Sequence, residues 1–446
     1  MAISVQGNHF IDGNGKQVQL RGVNYSGFEF VAIQGWSPGD PSGGQAGQAG
    51  GPNWAGLNSW RANVLRLPLN EASWLNNSSC VDTSGKIHSP DPGGNYQSTV
   101  KTQVAQANAA GLYVILDLHW AAPGSTCPML QTQMANLDHS LAFWRSVAAA
   151  FKDNRAVLFE LYNEPYLDGI NGSASAWEVM MRGGTISYYP ATSGEGKYQR
   201  IVTSWNVAGM QAMLDSVRQV GAQNIVLVGG IAYCNDMSAW LANVPSDPLG
   251  QMAAAWHPYP PQQLVSGFSL SAAGSGYSVS DTITLPQPNT VYTPAKFTVT
   301  SIGSGGSITG VGITQSGAYL QTSLPTGPVT QDSTSGSGKG AAFSLRFSNL
   351  SSTWSMPANW PAVQSIASRY PVVITEVGER NQPGTSGAPF LQQLLPYADT
   401  HGWSVVGWAW DVWLNNENVL IMDAHGTPTA GYGQVFHDWM IGTAWQ

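Results

Sequence analysis

VLFELYNEPY, residues 157–166, is the stretch on which the reading of the fold turns. The apolar run 157–161 reads as a strand buried on both faces, as in a parallel sheet. Asn163 and Glu164 follow where that strand ends, and Pro165, which has no N–H to give a ladder, helps to stop it. An amide and a carboxylate at the C-terminal end of a buried parallel strand stand where barrel enzymes keep their reacting groups. Three residues also recur by chance, and an Asn-Pro-type turn explains them blandly, so a second carboxylate is needed. PVVITEVGE, residues 371–379, supplies one: Val372, Val373 and Ile374 form another short apolar strand, and Glu376 sits at its end. Cleavage of a glycosidic bond needs two such carboxylates flanking the bond, one as acid and one as base or nucleophile.

Outward from these two segments the chain alternates. Strands at 19–24, 64–69, 113–119, 224–230, 252–259 and 403–410 join 157–164 and 372–376 to make eight. Helical patterns fall at 96–110, 138–152 (opened by Asp138 as N-cap), 198–220, 236–244, 360–369, 389–400 and 432–441. This is an α/β chain, and eight β/α units with short core strands make a (β/α)8 TIM barrel. A hairpin around an Asp-Gly-Asn-Gly turn precedes the first barrel strand.

Residues 262–352 break the rhythm. Ser, Gly and Thr dominate, and short alternating strands recur at 277–285, 296–302, 308–315 and 342–347. SGYSVSDTITL with AKFTVT is echoed by SGAYLQTSL with AAFSLRF, a degenerate two-unit repeat. The stretch is a small all-β insert after the sixth strand, similar to the small β modules of bacterial and phage surface proteins. The expected division is therefore a catalytic barrel over 1–261 and 353–446 and an inserted module over 262–352.

The formal charge is −8, only 10% of residues are charged and no basic block is visible, which argues against a nucleic-acid surface. The 18 Trp equal Lys and Arg together, and flat, partly polar rings suit a sugar-binding cleft. The Gly- and Pro-rich stretch 25–53, with Phe28, Glu29, Phe30 and Trp36, reads as a wall of that cleft, with Trp54, Trp74, Trp120 and Trp177 beyond it. A polar surface of Gly, Ser, Thr and Asn suits a secreted protein. The N-terminus carries no signal peptide or span, so the expectation is an exported chain whose leader has been removed. Three cysteines exclude a fully paired framework. Cys80 and Cys127, both in loop-like sequence, either bridge or remain free thiols.

The C-terminal ends of the strands carry Asn24, Arg66, His119, Asn163 with Glu164, His257 with Tyr259, Glu376, and Trp408 with Trp410. Singly, each has a structural explanation: a buried ion pair for Arg66, satisfied core histidines, core-filling Trp. As a set gathered on one barrel rim they make a site. The motifs RLP at Arg66, DLH at His119, YNEP at Glu164, HPY at His257 and Tyr259, and TEVG at Glu376 resemble glycoside hydrolase family 5, the barrel cellulases and related β-glycanases. The resemblance covers residues 3–261 and 353–443. It implies Glu164 as acid/base and Glu376 as nucleophile, Asn163 on the substrate 2-hydroxyl, and Arg66 and Tyr259 orienting the nucleophile. His119 and His257 would line the site, and Trp408, with Trp410 as the alternative, would floor the subsite at the cleaved sugar.

The implied activity is retaining, endo-acting hydrolysis of internal β-1,4-glucosidic bonds in cellulose or related β-glucans, with no metal or organic cofactor. The implied partner is the polysaccharide or its oligosaccharides, not nucleic acid or membrane. An exo-acting β-glucosidase, a glycosyl transferase or a β-mannanase of the same clan are alternatives, with the insert walling the cleft through Tyr277, Tyr292 or Tyr319. A non-catalytic carbohydrate-binding barrel is a further one, and the insert could equally be a spacer or an oligomer contact.

Overall fold

Eight parallel strands close on one another in the computed structural model of the chain: β1 (Arg21–Asn24), β2 (Val64–Asn70), β3 (Tyr113–Trp120), β4 (Val157–Glu160), β5 (Val226–Val228), β6 (Met252–Ala255), β7 (Val372–Val377) and β8 (Ser404–Gly407). Neighbours pair in chain order, and β8 returns to β1 through Val405 opposite Arg21. The structure describes all residues except 38, 43–49, 77–78, 83, 168–172, 188–203, 260–261, 287–290, 316, 321–323, 350–355, 380–387, 413–418 and 443–446. No described helix is long and apolar enough to cross a membrane.

The barrel interior is legible as a period of two, since alternate strand residues share a face. Leu20, Val64, Ile115, Leu158, Leu227, Ala253, Ala255, Val373 and Val406 form one buried apolar cluster, joined by Ile3 and Phe10 from the N-terminal strands Ile3–Gln6 and His9–Asp12. Two residues further along come Arg66, Asp117, Glu160 and Thr375 on the same strands and His257 just beyond β6, all fully buried. An apolar floor thus carries a polar layer toward the C-terminal rim.

Several boundaries differ from the sequence reading. Strand β4 stops at Glu160, and β6 at Ala255, so Glu164, His257 and Tyr259 stand on the segments beyond. The helix expected at 138–152 runs Ser140–Phe151, and Asp138 does not cap it; its carboxylate accepts from the Gly124 N–H instead. Of the helix expected at 198–220, only Met210–Gln219 is helical, while Ser204–Val207 pairs antiparallel with Gly184–Ser187. Its exposed-buried alternation around Trp205 and Val207 is a strand period, which the helical reading overrode. Residues 198–203 lie outside the described residues.

Contacts divide the chain into two compact units. One is Met1–Tyr259 with Asn359–Asn381 and Leu391–Gln446, and the other is Pro260–Ala358 with Gln382–Phe390. The second, taken by itself, holds a five-stranded and a four-stranded sheet. The five-stranded one is built on Gln262–Ser275 against Lys339–Asn349, a long pairing whose first strand the sequence reading left out. Phe297 and Phe343, corresponding positions of the echoed AKF and AAF, stack at 4.3 Å and 6°. Tyr277 and Tyr319 belong to the same core, being 2% and 0% exposed, so neither is free to wall a cleft; the Tyr292 side chain lies outside the described residues.

Candidate active site

Arg66 is the centre of the polar layer. Its fork makes four hydrogen bonds and a further ion pair: Nε reaches Glu160 Oε2 at 2.7 Å, Nη1 reaches Asn24 Oδ1 at 2.8 Å and Glu376 Oε2 at 3.2 Å, Nη2 reaches Asn163 Oδ1 at 2.8 Å, and Nη2 also lies 3.0 Å from Asp117 Oδ2. Burial works against the guanidinium charge, but Asp117, Glu160 and Glu376 outweigh it and raise its pKa. Glu160 is likewise opposed by burial, yet Arg66 above all, with His257 and Thr375, holds it down at about 2. Asp117 goes the other way, because burial dominates there and the neighbouring acids add to it.

Glu376 reaches this centre through a local irregularity. Thr375 and Glu376 are consecutive, so a regular strand would send them to opposite faces. Between Ile374 and Val377 the register of β7 against β8 shifts, and such a shift re-aims side chains. Thr375 Oγ1 donates to Glu160 Oε1 at 2.7 Å, while Glu376 takes Arg66 on one oxygen and the Tyr259 hydroxyl on the other at 2.7 Å.

Glu164 stands opposite, on the segment after β4, with its side chain partly exposed. His257 Nδ1 lies 2.9 Å from Glu164 Oε1. An oxygen of Glu164, a nitrogen of His257 and an oxygen of Glu376 all lie within 4.8 Å of one another. These three are also the described group near enough to share a metal ion, but each already has a protein partner. Glu164 and His257 have each other, and Glu376 has Arg66 and Tyr259.

His119 completes the rim. Its Nδ1 is 2.6 Å from Asp117 Oδ2, and its Nε2 is 3.4 Å from Asn163 Nδ2. An amide nitrogen only donates, so Nε2 accepts and the ring proton sits on Nδ1. That neutral form agrees with a pKa that burial lowers to about 4. Trp408 stacks on His119 at 5.6 Å and 7°, whereas Trp410 is fully buried against Trp60. This places Trp408, and not Trp410, at the site.

The structure therefore brings Arg66, His119, Asn163, Glu164, His257, Tyr259, Glu376 and Trp408 into one cluster, with Asn24 behind Arg66. Sequence reasoning missed Glu160, Thr375 and Asp117. The signal was present, since Glu160 interrupts the run read as apolar and Asp117 sits in YVILDLH at the parity of His119. Of the aromatics expected in the cleft, Trp74 and Trp177 are core: Trp74 packs on Phe143 and Phe151, and Trp177 is 2% exposed. Trp36 is exposed and meets Phe30, which in turn meets Trp120. Cys80 and Cys127 are bridged, and Cys234 is a buried free thiol.

Residues 11–287 match the sequence model of the family described as Cellulase (glycosyl hydrolase family 5), more than half of the chain. Among characterised relatives, Endoglucanase CelA of Streptomyces lividans is 28% identical over 174 residues, which is 39% of this chain and 30% of that protein. Endoglucanase N of Pectobacterium atrosepticum is 23% identical over 246 residues, 55% of this chain and 41% of that protein. The matches span less than half the length of these relatives. Two solved structures share the fold over 99% of this chain. The catalytic domain of the major endoglucanase from Xanthomonas campestris pv. campestris does so at TM-score 0.54, 16% identity and 100% of its own length. A β-glucanase from Saccharophagus degradans, solved with cellotetraose, does so at TM-score 0.53, 19% identity and 93% of its length.

Proposed function

We propose that this chain, which belongs to glycosyl hydrolase family 5, is a retaining endo-β-1,4-glucanase whose nucleophile is Glu376 and whose acid/base is Glu164. The observation that carries the reading is the closeness of the two carboxylates, whose nearest oxygens lie within 4.8 Å. Retaining glycosidases hold their carboxyls roughly 5–5.5 Å apart, whereas inverting ones leave roughly 6.5–9.5 Å for a water. The named activities of the relatives, endoglucanase and β-glucanase, support the substrate class.

In the first step a Glu376 oxygen attacks the anomeric carbon while Glu164 gives its proton to the departing glycosidic oxygen. The C–O bond to the leaving sugar breaks and a glycosyl ester on Glu376 forms. Arg66 and Tyr259 donate to the two Glu376 oxygens and fix the carboxylate for in-line attack. In the second step Glu164 takes a proton from water, the water oxygen replaces the ester at the anomeric carbon, and Glu376 leaves as the carboxylate. Asn163 contacts the 2-hydroxyl, His119 lines the subsite, and Trp408 provides its floor. The Cys80–Cys127 bridge suits an oxidising compartment, so the protein is read as secreted.

The test is product analysis on carboxymethyl cellulose, β-mannan and short cello-oligosaccharides, with the anomeric form followed by NMR. A fast viscosity drop on the cellulose derivative, with β-configured cellobiose and cellotriose appearing first, is expected. Glucose alone released from chain ends would reverse the endo assignment, and α-configured first products would reverse the retaining one. Glu376→Gln with wild-type turnover would sink the residue roles.

A further inference from the structure

We propose that Gln131 is a positioning residue that fixes the side-chain amide of Asn163, and through it the enzyme's demand for a 2-hydroxyl on the sugar it cleaves. The inference rests on the contact between Asn163 and the 2-hydroxyl proposed above.

An amide side chain can be turned over, exchanging its oxygen and nitrogen, and only its neighbours decide which way it lies. One corner of Asn163 faces Arg66 Nη2 at 2.8 Å; a guanidinium only donates, so that corner must hold Oδ1. The other corner, Nδ2, faces Gln131 Oε1 at 3.1 Å and His119 Nε2 at the longer 3.4 Å. Gln131 is itself an amide, so its own orientation has to be set. Its Nε2 lies 2.7 Å from the backbone carbonyl of Glu164, a group that can only accept. The carbonyl thus fixes Gln131, and Gln131 with Arg66 fixes Asn163. One side chain reads the backbone of the acid/base and the side chain of its neighbour together.

The segment bearing Gln131 is held for this task. The Tyr166 hydroxyl donates to the Gln131 carbonyl at 3.2 Å, and the Tyr166 N–H donates to Gln133 O at 3.0 Å. The Tyr162 hydroxyl donates to Thr132 O at 2.7 Å. Residues 131–133 are therefore laced to both ends of Tyr162–Tyr166, the stretch that contains Asn163 and Glu164. Four residues upstream, Cys127 is tied to Cys80.

Without Gln131 the Nδ2 corner keeps only the longer contact to His119, and the amide loses its fixed direction. Bonds to the 2-hydroxyl strengthen in the transition state, so the loss falls on turnover and not on ground-state binding.

The test compares wild type, Gln131→Met, Gln131→Glu, Asn163→Ala and the double variant Gln131→Met with Asn163→Ala, with melting temperatures to establish folding. Each is assayed for turnover of 2,4-dinitrophenyl β-cellobioside and for the rate of covalent inactivation by its 2-deoxy-2-fluoro counterpart, which lacks the hydroxyl. Gln131→Met is expected to lose about tenfold in kcat on the cellobioside, the size of one hydrogen bond. Its KM and its inactivation rate should stay at the wild-type level, and it should add no loss on top of Asn163→Ala. Gln131→Glu, which keeps an acceptor toward Asn163, should recover part of the turnover. Equal losses on both reagents, or no loss on either, would overturn the assignment to Asn163. A folded wild type inert toward both reagents would instead strike down the glucanase reading, and this inference with it.

Discussion

His257 offers Nδ1 to Glu164 Oε1 at 2.9 Å while its Nε2 meets Thr375 Oγ1 at 2.9 Å. The Thr375 hydroxyl gives its own hydrogen to Glu160, so it can only accept from Nε2, and that nitrogen must carry a proton. Burial alone would push the imidazole pKa down; Glu376, Glu160 and Glu164 outweigh it and raise it to about 9. Unfolded histidine titrates near 6.5, so the folded state binds this proton more tightly. The resulting stabilisation is complete below pH of about 6.5 and is lost as pH climbs through about 9. Thermal unfolding between pH 6 and 10 should show the wild type losing on the order of 3 kcal/mol that His257→Asn never had. Parallel profiles for the two proteins would contradict it.

Arg66→Lys should be far from conservative. A lysine offers three donors on one atom, against a planar fork that here makes four hydrogen bonds and faces three carboxylates. Glu160 and Asp117 would keep their burial and lose most of their compensation. The expected cost is about 3–5 kcal/mol in denaturant unfolding, together with loss of turnover because Glu376 loses a donor. A melting temperature unchanged in Arg66→Lys would show that the cluster is not under this electrostatic constraint.

The contrast between these residues explains how much could be read beforehand. Strand ends announce themselves, because an apolar run that stops at Asn-Glu-Pro or Thr-Glu marks both the sheet and its rim. Glu164, Glu376 and His257 were legible for that reason, as were all eight strands, whereas Arg66, inside β2, was legible through the RLP motif. Glu160 closes β4 within the run read as apolar and Thr375 lies inside β7, and there parity along the strand decides whether a polar residue faces the barrel axis. That parity is hidden until the register is known, and β7 changes register just there. The Trp-rich cleft failed for a different reason: apolar bulk is common to a sugar platform and a core. Only packing separates exposed Trp36 from Trp74, which is buried with its indole N–H on Ser146.

The bridge between Cys80 and Cys127 closes a loop with a sequence separation of 47. By the chain-entropy argument, Cys80→Ser with Cys127→Ser should lower unfolding free energy by about 4 kcal/mol as an upper figure. The backbone there is also held by Val81 and Thr126 pairing, and by Cys127 N–H on Val81 O at 3.0 Å. Turnover should therefore fall much less than stability. Thiol titration checks the pairing: Cys234 is buried and its pKa raised by burial, so the native protein should give no reactive thiol and the denatured, unreduced protein one. Three thiols on denaturation would refute the bridge.

Gly22 should not tolerate a side chain. It sits on β1 facing β2, where a Cβ would come within 1.8 Å of the Val64 carbonyl oxygen. Neither partner can retreat, because Gly22 and Val64 are paired in the closed barrel. Gly22→Ala should cost about 1–3 kcal/mol or more and appear as reduced soluble yield and a lower melting temperature. An unaffected Gly22→Ala would mean that the two strands lie further apart.

Trp408 and Trp410 are two residues apart, yet their removal should be felt in different assays. Trp410 is fully buried, edge-on to Trp60 at 5.1 Å, with Gly426 so close that a Cβ there would touch its ring at 2.8 Å. Deleting it leaves a large cavity, and Trp410→Ala should cost about 3–5 kcal/mol of stability. The folded fraction should turn over normally, because the indole packs on Trp60 and Gly426, and its tie to Asn24 is a backbone bond that alanine keeps. Trp408 is partly exposed and lies flat against His119 at 5.6 Å and 7°. Trp408→Ala should leave the melting temperature nearly unchanged and lower kcat/KM by at least tenfold, since a floor for a sugar ring and the wall of His119 go together. Chemical denaturation and steady-state kinetics on the same two variants read the difference. Equal effects in both assays would place the two indoles in one shared structural role and leave the subsite without its floor.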